Sequence, residues 1–390
     1  MTGELLVVAG EASGDRAAAA VLSHLSGVRA FGMGGEALAS ERVELTSDLR
    51  NSTALGIAEV AARAWNVGLA YARLRAVCVK RRPAAALLVN YTEFNTVLAK
   101  TLSNMGTRVL WYGAPQIWAW RRRRGNALRK HVDRMAVMLP FEEPLWRAIG
   151  VDARYVGHPS LEESRRVSET YPTKHEARRA ARALLGLTER AWTVAILPGS
   201  RPHEVRKMLE PMLAGYELVR RDRASVDARI LLAPSLDERT RTWAHAVASS
   251  YRAEIVHVDA RAGIAYALPA FDAALTASGT ASLECALAGA VPIICYRVGW
   301  TTELGARLLM TTRFLALPNV LLDRAAFPEL LQRNVNASRI SETLASLLDN
   351  REAFTAACAE ITTVLRGPTA TSQHVARMLE PWLANTRASA

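Results

Sequence analysis

The sequence predicts an α/β protein built on two doubly wound parallel sheets. Three observations carry that class. Short apolar runs alternate with helical stretches along the whole chain, which is the pattern of βα repeats. The alternation breaks once, in the polar, helix-prone stretch from Glu162 to Leu187 with Pro172 inside it, and restarts at Val194. The 390 residues are enough for two domains of ordinary size. The boundary is expected at about residues 165 to 185, giving a first domain over 1–170 and a second over 171–368. A last helix at about 369–390, beyond the Gly367-Pro368 break, is expected to cross back to the first domain.

In the first half, Leu5–Ala9 reads as a strand, Gly10-Glu11-Ala12-Ser13-Gly14-Asp15 as a turn, and Arg16–Leu25 as the helix it opens. A glycine-rich turn at a helix start suits a ligand that approaches the backbone closely. It lacks the GxGxxG spacing of a dinucleotide site, which disfavours a dehydrogenase. A second strand runs into glycine at Ala30–Gly35. From Glu59 to Lys80, Val60, Ala64, Val67, Tyr71 and Leu74 recur three or four apart, predicting a helix with an apolar stripe and basic flanks. That stripe is either core or the face of a basic helix lying on a membrane. Ala84–Val89 is the next strand and delivers Asn90-Tyr91-Thr92-Glu93-Phe94-Asn95 at its carboxyl end, where open α/β sheets place ligands. Thr107–Trp111 leads to Trp118, Trp120 and Arg121–Arg124, either an apolar and cationic wall or a core edge beside a solvated helix. Arg134–Leu139 runs into Pro140-Phe141-Glu142, and Tyr155-Val156 into Gly157-His158-Pro159, where His158 reads as a packed loop residue.

The second half repeats the pattern, with strands expected at Val194–Leu197, Ala228–Ala233, Glu254–Val258, Ala273–Thr276 and Val291–Tyr296. Its strongest feature is Thr193–Val205, TVAILPGSRPHEV. A strand passing through Pro198-Gly199 into a helix at about His203 leaves backbone N–H groups unpaired at one point. The helix dipole and Arg201 add positive charge there, so Gly199, Ser200 and Arg201 form a candidate phosphate cradle. The alternative is an ordinary βα turn with a surface arginine. A second small-residue loop, Ala277-Ser278-Gly279-Thr280-Ala281, also opens a helix. Ser278 and Thr280 can donate to phosphate oxygens. Glu284, farther along that helix, is placed either to accept the hydroxyls of a ribose or simply to face solvent. Three helices are expected at the end: Ser338–Asp349, Arg351–Leu365 and Thr369–Ala384.

Composition narrows the function classes. Half the residues are hydrophobic, but no apolar stretch reaches the roughly 20 residues of a membrane helix. Met1-Thr2-Gly3-Glu4 has no basic n-region, and Leu5–Ala9 is short for a signal sequence, so a cytoplasmic protein is expected. The cysteines (Cys78, Cys285, Cys295, Cys358) form no CxxC pair and read as reduced, mostly buried thiols. No metal-ligand spacing occurs, so neither metal nor cofactor is expected. The net charge is +12, with five Lys and 44 Arg. It reflects codon bias or attraction to anionic lipid or sugar phosphate; without a nucleic-acid module, nucleic acid is the weakest partner.

Two Rossmann-like halves with phosphate loops concentrated in the second describe a GT-B glycosyltransferase, its halves facing across a cleft. GEASGD (10–15), LGIAEV (55–60), PQIWAWR (115–121), LPFE (139–142), VGHP (156–159), LPGSR with Glu204-Val205, ASGTASLE (277–284) and LPNVLL (317–322) resemble the lipid-A-disaccharide synthase family, in matching order and over nearly the whole chain. The resemblance implies an inverting transfer from UDP-2,3-diacylglucosamine to 2,3-diacylglucosamine 1-phosphate. The products would be UDP and the β-1,6-linked lipid A disaccharide 1-phosphate, made peripherally on the inner face of the cytoplasmic membrane. It implies that Gly199, Ser200 and Arg201 hold the diphosphate, that Ser278, Gly279, Thr280 and Ala281 complete the cradle, that Glu284 binds ribose and that Asn319 lies near the nucleotide. The acceptor would enter from the first half, at Ser13, Gly14, Trp118, Trp120 and Arg121. A basic, apolar patch near residues 55–82 would dock on an anionic membrane, and a homodimer is left open.

One position departs from the family. The pattern Asp-x-Pro-Asp-Phe-Asn, whose first Asp is the general base, is here Asn90-Tyr91-Thr92-Glu93-Phe94-Asn95. An Asn amide cannot take the acceptor's proton. Glu93 is the first substitute, with Glu11 and Asp15 behind it. Two alternatives follow: a non-catalytic or weakly active relative that binds nucleotide or lipid, and a GT-B enzyme with a different lipid or sugar acceptor.

Overall fold

The computed structural model describes residues 3–48, 57–119, 124–189, 191–223, 225–251, 253–259, 263–297, 312–368 and 370–384. The chain forms two compact units, Met1–Pro159 with Gly367–Ala390, and Ser160–Arg366.

The first unit starts β1 (Leu5–Ala9), α1 (Ala12–Leu22), β2 (Ala30–Gly34), α2 (Glu36–Ser40), β3 (Glu44–Asp48), α3 (Ile57–Arg81) and β4 (Ala85–Val89). It continues through α4 (Thr92–Asn104), β5 (Arg108–Tyr112), α5 (Arg124–Leu128), β6 (Arg134–Val137), α6 (Glu142–Ile149) and β7 (Ala153–Tyr155). The strands form one seven-stranded sheet in the order β3-β2-β1-β4-β5-β6-β7, with every pair parallel. A parallel sheet is covered on both faces, so its central strands are continuous apolar runs. Leu5, Val7, Leu87 and Val89 pack on one face with α1. Leu6, Val8, Ala86 and Leu88 pack on the other with Leu74 and Cys78 of α3 and Leu98 of α4.

Val67, Tyr71 and Leu74 of the α3 stripe pack into the core, which is the core reading of that stripe over its described side chains. Arg81 is drawn inward too. Its guanidinium binds Glu4 at 2.9 Å and Glu44 at 2.6 Å and stacks 4.1 Å from the Phe31 ring. Leu55 and Gly56 lie outside the described residues.

The second unit runs α7 (Pro159–Thr170), α8 (Lys174–Leu184), β8 (Trp192–Leu197), α9 (Pro202–Asp222), β9 (Val226–Leu232), α10 (Glu238–Ser250), β10 (Glu254–His257) and β11 (Ala273–Thr276). After these come α11 (Thr280–Ala288), β12 (Val291–Tyr296), α12 (Leu317–Leu322), β13 (Glu329–Leu331), α13 (Ala337–Asp349) and α14 (Arg351–Val364). Its six-stranded sheet is ordered β10-β9-β8-β11-β12-β13, and every pair is parallel. The polar stretch between the two repeats is α7 and α8, with Pro172 in the break between them. Thr173 and Glu176 cap α8 reciprocally. Val167 of α7 packs with Ala177 and Ala265, so α7 belongs to the second unit's core.

The last helix, α15 (Thr371–Ala384), returns to the first unit. Val375, Ala376, Leu379 and Leu383 join the core face of β1 and α1. Gly3 N donates to Leu383 O at 3.3 Å, and Arg134 donates to Met378 O at 2.7 Å while its guanidinium lies 4.7 Å from the Trp382 ring. Two Rossmann-like units with a terminal helix crossing back are the architecture of the GT-B class.

The base of the second sheet holds a buried ionic knot. Asp272, 2% exposed, accepts from Arg178 at 2.8 Å, Arg182 at 3.2 Å, and both the amide and the hydroxyl of Thr193 at 3.0 Å. Arg351 of α14 adds a third guanidinium at 3.6 Å. Burial and the neighbouring Arg178 push the Arg182 pKa down, and the charge of Asp272 opposes that shift. Removing one member of a buried ion cluster leaves an uncompensated charge, which costs about 3–5 kcal/mol. Asp272→Asn is expected to lower unfolding free energy by about that amount, read as a lower urea midpoint at unchanged slope; a loss below about 1 kcal/mol would mean that water solvates the arginines.

Candidate active site

The sequence of connections places one crevice in each unit. In the first sheet, β1 leads to β2 and β3 on one side, while β4 leads to β5, β6 and β7 on the other. In the second, β8 leads to β9 and β10, and β11 to β12 and β13. Loops leaving the carboxyl ends of such a strand pair diverge to opposite faces and open a ligand crevice. The pairs are β1/β4 and β8/β11. Their loops are Gly10–Glu11, Asn90–Tyr91, Pro198–Arg201 and Ala277–Gly279, the same segments that the sequence marks.

At β1/β4 the backbone turns sharply. Asn90 has φ 48° and Tyr91 φ 46°, left-handed values that cost a residue other than glycine roughly 1 kcal/mol. Asn90 N donates to Tyr112 O at 3.0 Å, which ties the turn to β5. Asn95 Nδ2 donates to Asn90 O at 2.8 Å. Glycines make the room. A Cβ on Gly10 would stand 2.2 Å from Tyr91 Cγ, and one on Gly113 would stand 2.1 Å from Asn90 Oδ1. A Cβ on Gly14 would lie 3.6 Å from Asn90 Nδ2, so the Asn90 amide lies beside both Gly14 and Gly113.

The candidate bases divide. Glu93, in the first turn of α4, and Glu11, at the start of α1, are exposed. Asp15 is 4% exposed and accepts from the amides of Gly35 at 2.7 Å, Ala37 at 2.9 Å and Leu38 at 3.4 Å. It ties α1 to the start of α2, and burial outweighs these N–H bonds and raises its pKa. Ser13 is half-buried and Gly14 buried, both in the first turn of α1. Trp118 follows β5, while Trp120 and Arg121 lie outside the described residues.

β8 and β11 are paired neighbours, so the Pro198–Arg201 and Ala277–Gly279 loops leave the sheet side by side. Burial pushes up the pKa of the Tyr296 phenol at the end of β12, and the charges of Glu204 and Arg201 act on it in opposite senses. Gly279 is exposed, and a Cβ there would meet no atom within 4 Å, so this loop is open. Thr280 and Ala281 begin α11, and Glu284 is 8% exposed in its next turn. Arg201 is half-exposed, with its side chain 49% accessible.

Asn319 is fully buried. Its Nδ2 donates to Phe327 O and Glu329 Oε1 at 2.9 Å, and its Oδ1 accepts from Phe327 N at 2.9 Å. These bonds brace α12 against β13.

Two side chains of the crevices are missed by the sequence reading. Tyr296 is one; its only signal is an aromatic at a strand's carboxyl end. The other is Glu142, 2% exposed, which accepts from Trp118 Nε1 at 2.9 Å and Leu139 N at 3.2 Å. Phe141 stands edge-on to Trp118 at 5.3 Å. Glu142 thereby fixes the Trp118 indole. His158, 5% exposed, is a packed residue whose pKa burial lowers to about 4, so it is neutral. Among the described residues, no group of three or more His, Cys, Asp or Glu is placed to hold a metal ion, and no helix is long and apolar enough to cross a membrane.

Residues 5–377 match the family described as lipid-A-disaccharide synthetase. The chain belongs to the lipid-A-disaccharide synthase family. The synthase of Anaeromyxobacter dehalogenans is 36% identical over 376 residues, covering 94% of each chain. That of Myxococcus xanthus is 39% identical over 345 residues, covering 87% of this chain and 86% of that one. Among solved structures, a UDP-GlcNAc 2-epimerase from Neisseria meningitidis bound to UDP-GlcNAc aligns at TM-score 0.66 and 11% identity, covering 98% of this chain and 100% of that one. A glycosyltransferase from Rickettsia africae aligns at TM-score 0.54 and 8% identity over 99% of both chains. At such identities these two likenesses concern the fold alone. As a lipid-A-disaccharide synthase, the chain is a glycosyltransferase acting in lipid A biosynthesis.

The synthase fold puts a pH dependence into Glu142. Burial outweighs its N–H donors and raises its pKa from 4.5 to about 7. The folded chain then keeps a proton that the unfolded chain releases between those values. The resulting stability is fully present below pH 4.5 and is lost as pH rises through about 7. Relative to Glu142→Gln, the wild-type chain should lose on the order of 3 kcal/mol between these limits. Urea titrations of both proteins across this range measure it, and a constant difference would show that the carboxylate ionises at its ordinary pKa.

Proposed function

We propose that the chain transfers the sugar of UDP-2,3-diacylglucosamine to the 6-hydroxyl of 2,3-diacylglucosamine 1-phosphate, with inversion at the anomeric carbon. The second unit is the donor half and the first the acceptor half. The observation that carries this assignment is the adjacency of β8 and β11, which release the Pro198–Arg201 and Ala277–Gly279 loops side by side. Family membership supplies the reaction, and that crevice supplies its donor chemistry.

In this reading, the Arg201 guanidinium and the loop amides of Gly199, Ser200 and Ser278–Ala281 face the diphosphate, and Glu284 takes the ribose hydroxyls. The acceptor oxygen attacks the anomeric carbon as the bond to the phosphate oxygen breaks. The leaving UDP gains negative charge as it departs, so fixed N–H dipoles and Arg201 stabilise the transition state more than the ground state. The acceptor's proton goes to a carboxylate. Asn90 cannot take it, and Asp15 is bound by three amides, which leaves exposed Glu93 first and Glu11 second. Ser13, Gly14 and Trp118 line the acceptor side, with Trp118 set by Glu142; Trp120 and Arg121 are proposed to extend it.

UDP release from both acylated sugars by the purified protein tests the reaction; release no faster than background overturns it. Arg201→Ala is expected to lower turnover about 10²–10³-fold. Glu93→Gln should lower it about 10²–10⁴-fold and remove the acid limb of the pH–rate profile. Should Asn90→Asp raise turnover while Glu93→Gln has no effect, the base is misassigned.

The acyl chains of both substrates require access to a bilayer, and the charge of +12 favours an anionic one. Peripheral association is therefore part of the proposal, through basic surface as a whole, since the described part of the α3 stripe is core. Sedimentation with vesicles rich in anionic lipid should fall steeply between 50 and 500 mM salt, conditions of about 14 and 4 Å screening length; salt-insensitive or absent binding counts against it.

A further inference from the structure

Glu204 is an acidic residue inside a site built for an anion. It stands in the first turn of α9, yet its side chain is only 12% exposed. It folds back over Gly199. A Cβ on Gly199 would lie 2.6 Å from both Cβ and Oε2 of Glu204, and Gly199 has φ 129°. Oε2 accepts from Ser200 N at 3.2 Å and Arg201 N at 3.3 Å. Oε1 lies 3.6 Å from Arg201 Nη1. Two successive backbone amides and a guanidinium converging on one oxyanion form the contact set that a phosphate takes at a strand–turn–helix junction. These amides hold the chain's own carboxylate.

We propose that Glu204 is an internal surrogate for the diphosphate. It keeps the Gly199–Arg201 loop in its binding shape while the site is empty, and it gives up the two amides and the guanidinium when nucleotide enters. Glu204 is thus a positioning residue, acting through the loop and not on the reacting atoms. This rests on the donor-site reading above and extends it. Nucleotide binding becomes an exchange of one anion for another, and the carboxylate's return helps to expel UDP after transfer. A site that holds the developing diphosphate charge strongly would otherwise retain its product. The carboxylate lowers the affinity for UDP and quickens its release.

The test is calorimetric titration of the full-length protein with UDP and with uridine. Glu204→Gln keeps the size and one acceptor oxygen but removes the charge. It is expected to bind UDP about tenfold tighter, roughly 1.4 kcal/mol, to bind uridine as the wild type does, and to be inhibited by product UDP at proportionally lower concentration. UDP affinity that is unchanged or weaker in Glu204→Gln overturns the exchange, because the carboxylate would then keep its amides in the bound state. Equal tightening for uridine also overturns it, since the effect would not involve phosphate. If Glu204→Gln does not fold, Glu204→Ala is titrated with the same expectations. A wild-type protein that fails to bind UDP overturns the donor-site reading as well, whereas wild-type binding without tightening overturns the exchange alone.

Discussion

The knot at Asp272 is the constraint on which the donor crevice depends. It sits at the amino-terminal end of β11, against Thr193 near the start of β8. These two strands pair in register from Val194 with Ala273 to Leu197 with Thr276, and their other ends release the Pro198–Arg201 and Ala277–Gly279 loops. Fixing the strands at the base fixes the offset of the loops at the top. The ions are buried at the end of the sheet away from these loops, where their strong fields organise the sheet and leave the loops to small residues. Because α8 contributes Arg178 and Arg182, and α14 contributes Arg351, helices before and after the sheet bear on that one strand pair.

Carboxylates on backbone amides are a recurring device in this chain. Asp15 holds Gly35, Ala37 and Leu38; Asp133 holds Val109; Glu143 holds Tyr155; Glu329 holds Leu315 and Ala316; Glu204 holds Ser200 and Arg201. Each charge-assisted bond orders a turn or strand end that would otherwise present unpaired N–H groups. The 37 acidic residues are outnumbered by 49 basic ones, and several acids are committed inside loops. A cationic exterior follows from that distribution. Glu204 differs from the rest in position: the amides it satisfies belong to the loop that leaves β8.

The parts legible in the sequence are those fixed by local pattern. Leu5–Ala9, Ala273–Thr276 and Val291–Tyr296 are continuous apolar runs because parallel strands are covered on both faces, and each forms the strand expected. The edge strands β3 (ELTSD) and β13 (ELL) carry no such run, since one flank of an edge strand has no neighbour to exclude water. The loops at β1/β4 and β8/β11 were legible as glycine-rich helix starts. What each carboxylate there does was not, because its partners come from elsewhere in the chain. Asp15 has the type and place of a base, but the amides that occupy it lie 20 or more residues away. Asn319 likewise has its partners across Phe327–Glu329, and the burial of Glu142 under Trp118 requires the fold.

Asn90 shows why the crevice keeps its shape without the family's aspartate. Two successive left-handed residues leave β4, and Asn tolerates that conformation better than most side chains because its short amide bonds locally. Gly10, Gly14 and Gly113 leave room for the turn whichever planar group stands at position 90, since Asn and Asp have nearly the same outline. The steric design of β1/β4 is thus independent of proton transfer. A carboxylate there would combine placement of the acceptor with removal of its proton. The amide retains the outline but cannot take a proton. Strain at such a turn persists only where the surroundings over-determine it. Here the bonds of Asn90 N to Tyr112 O and of Asn95 Nδ2 to Asn90 O, with the glycines around them, supply that determination. The loop is therefore organised by its surroundings, and the group at position 90 can change between amide and carboxylate without the loop being rebuilt.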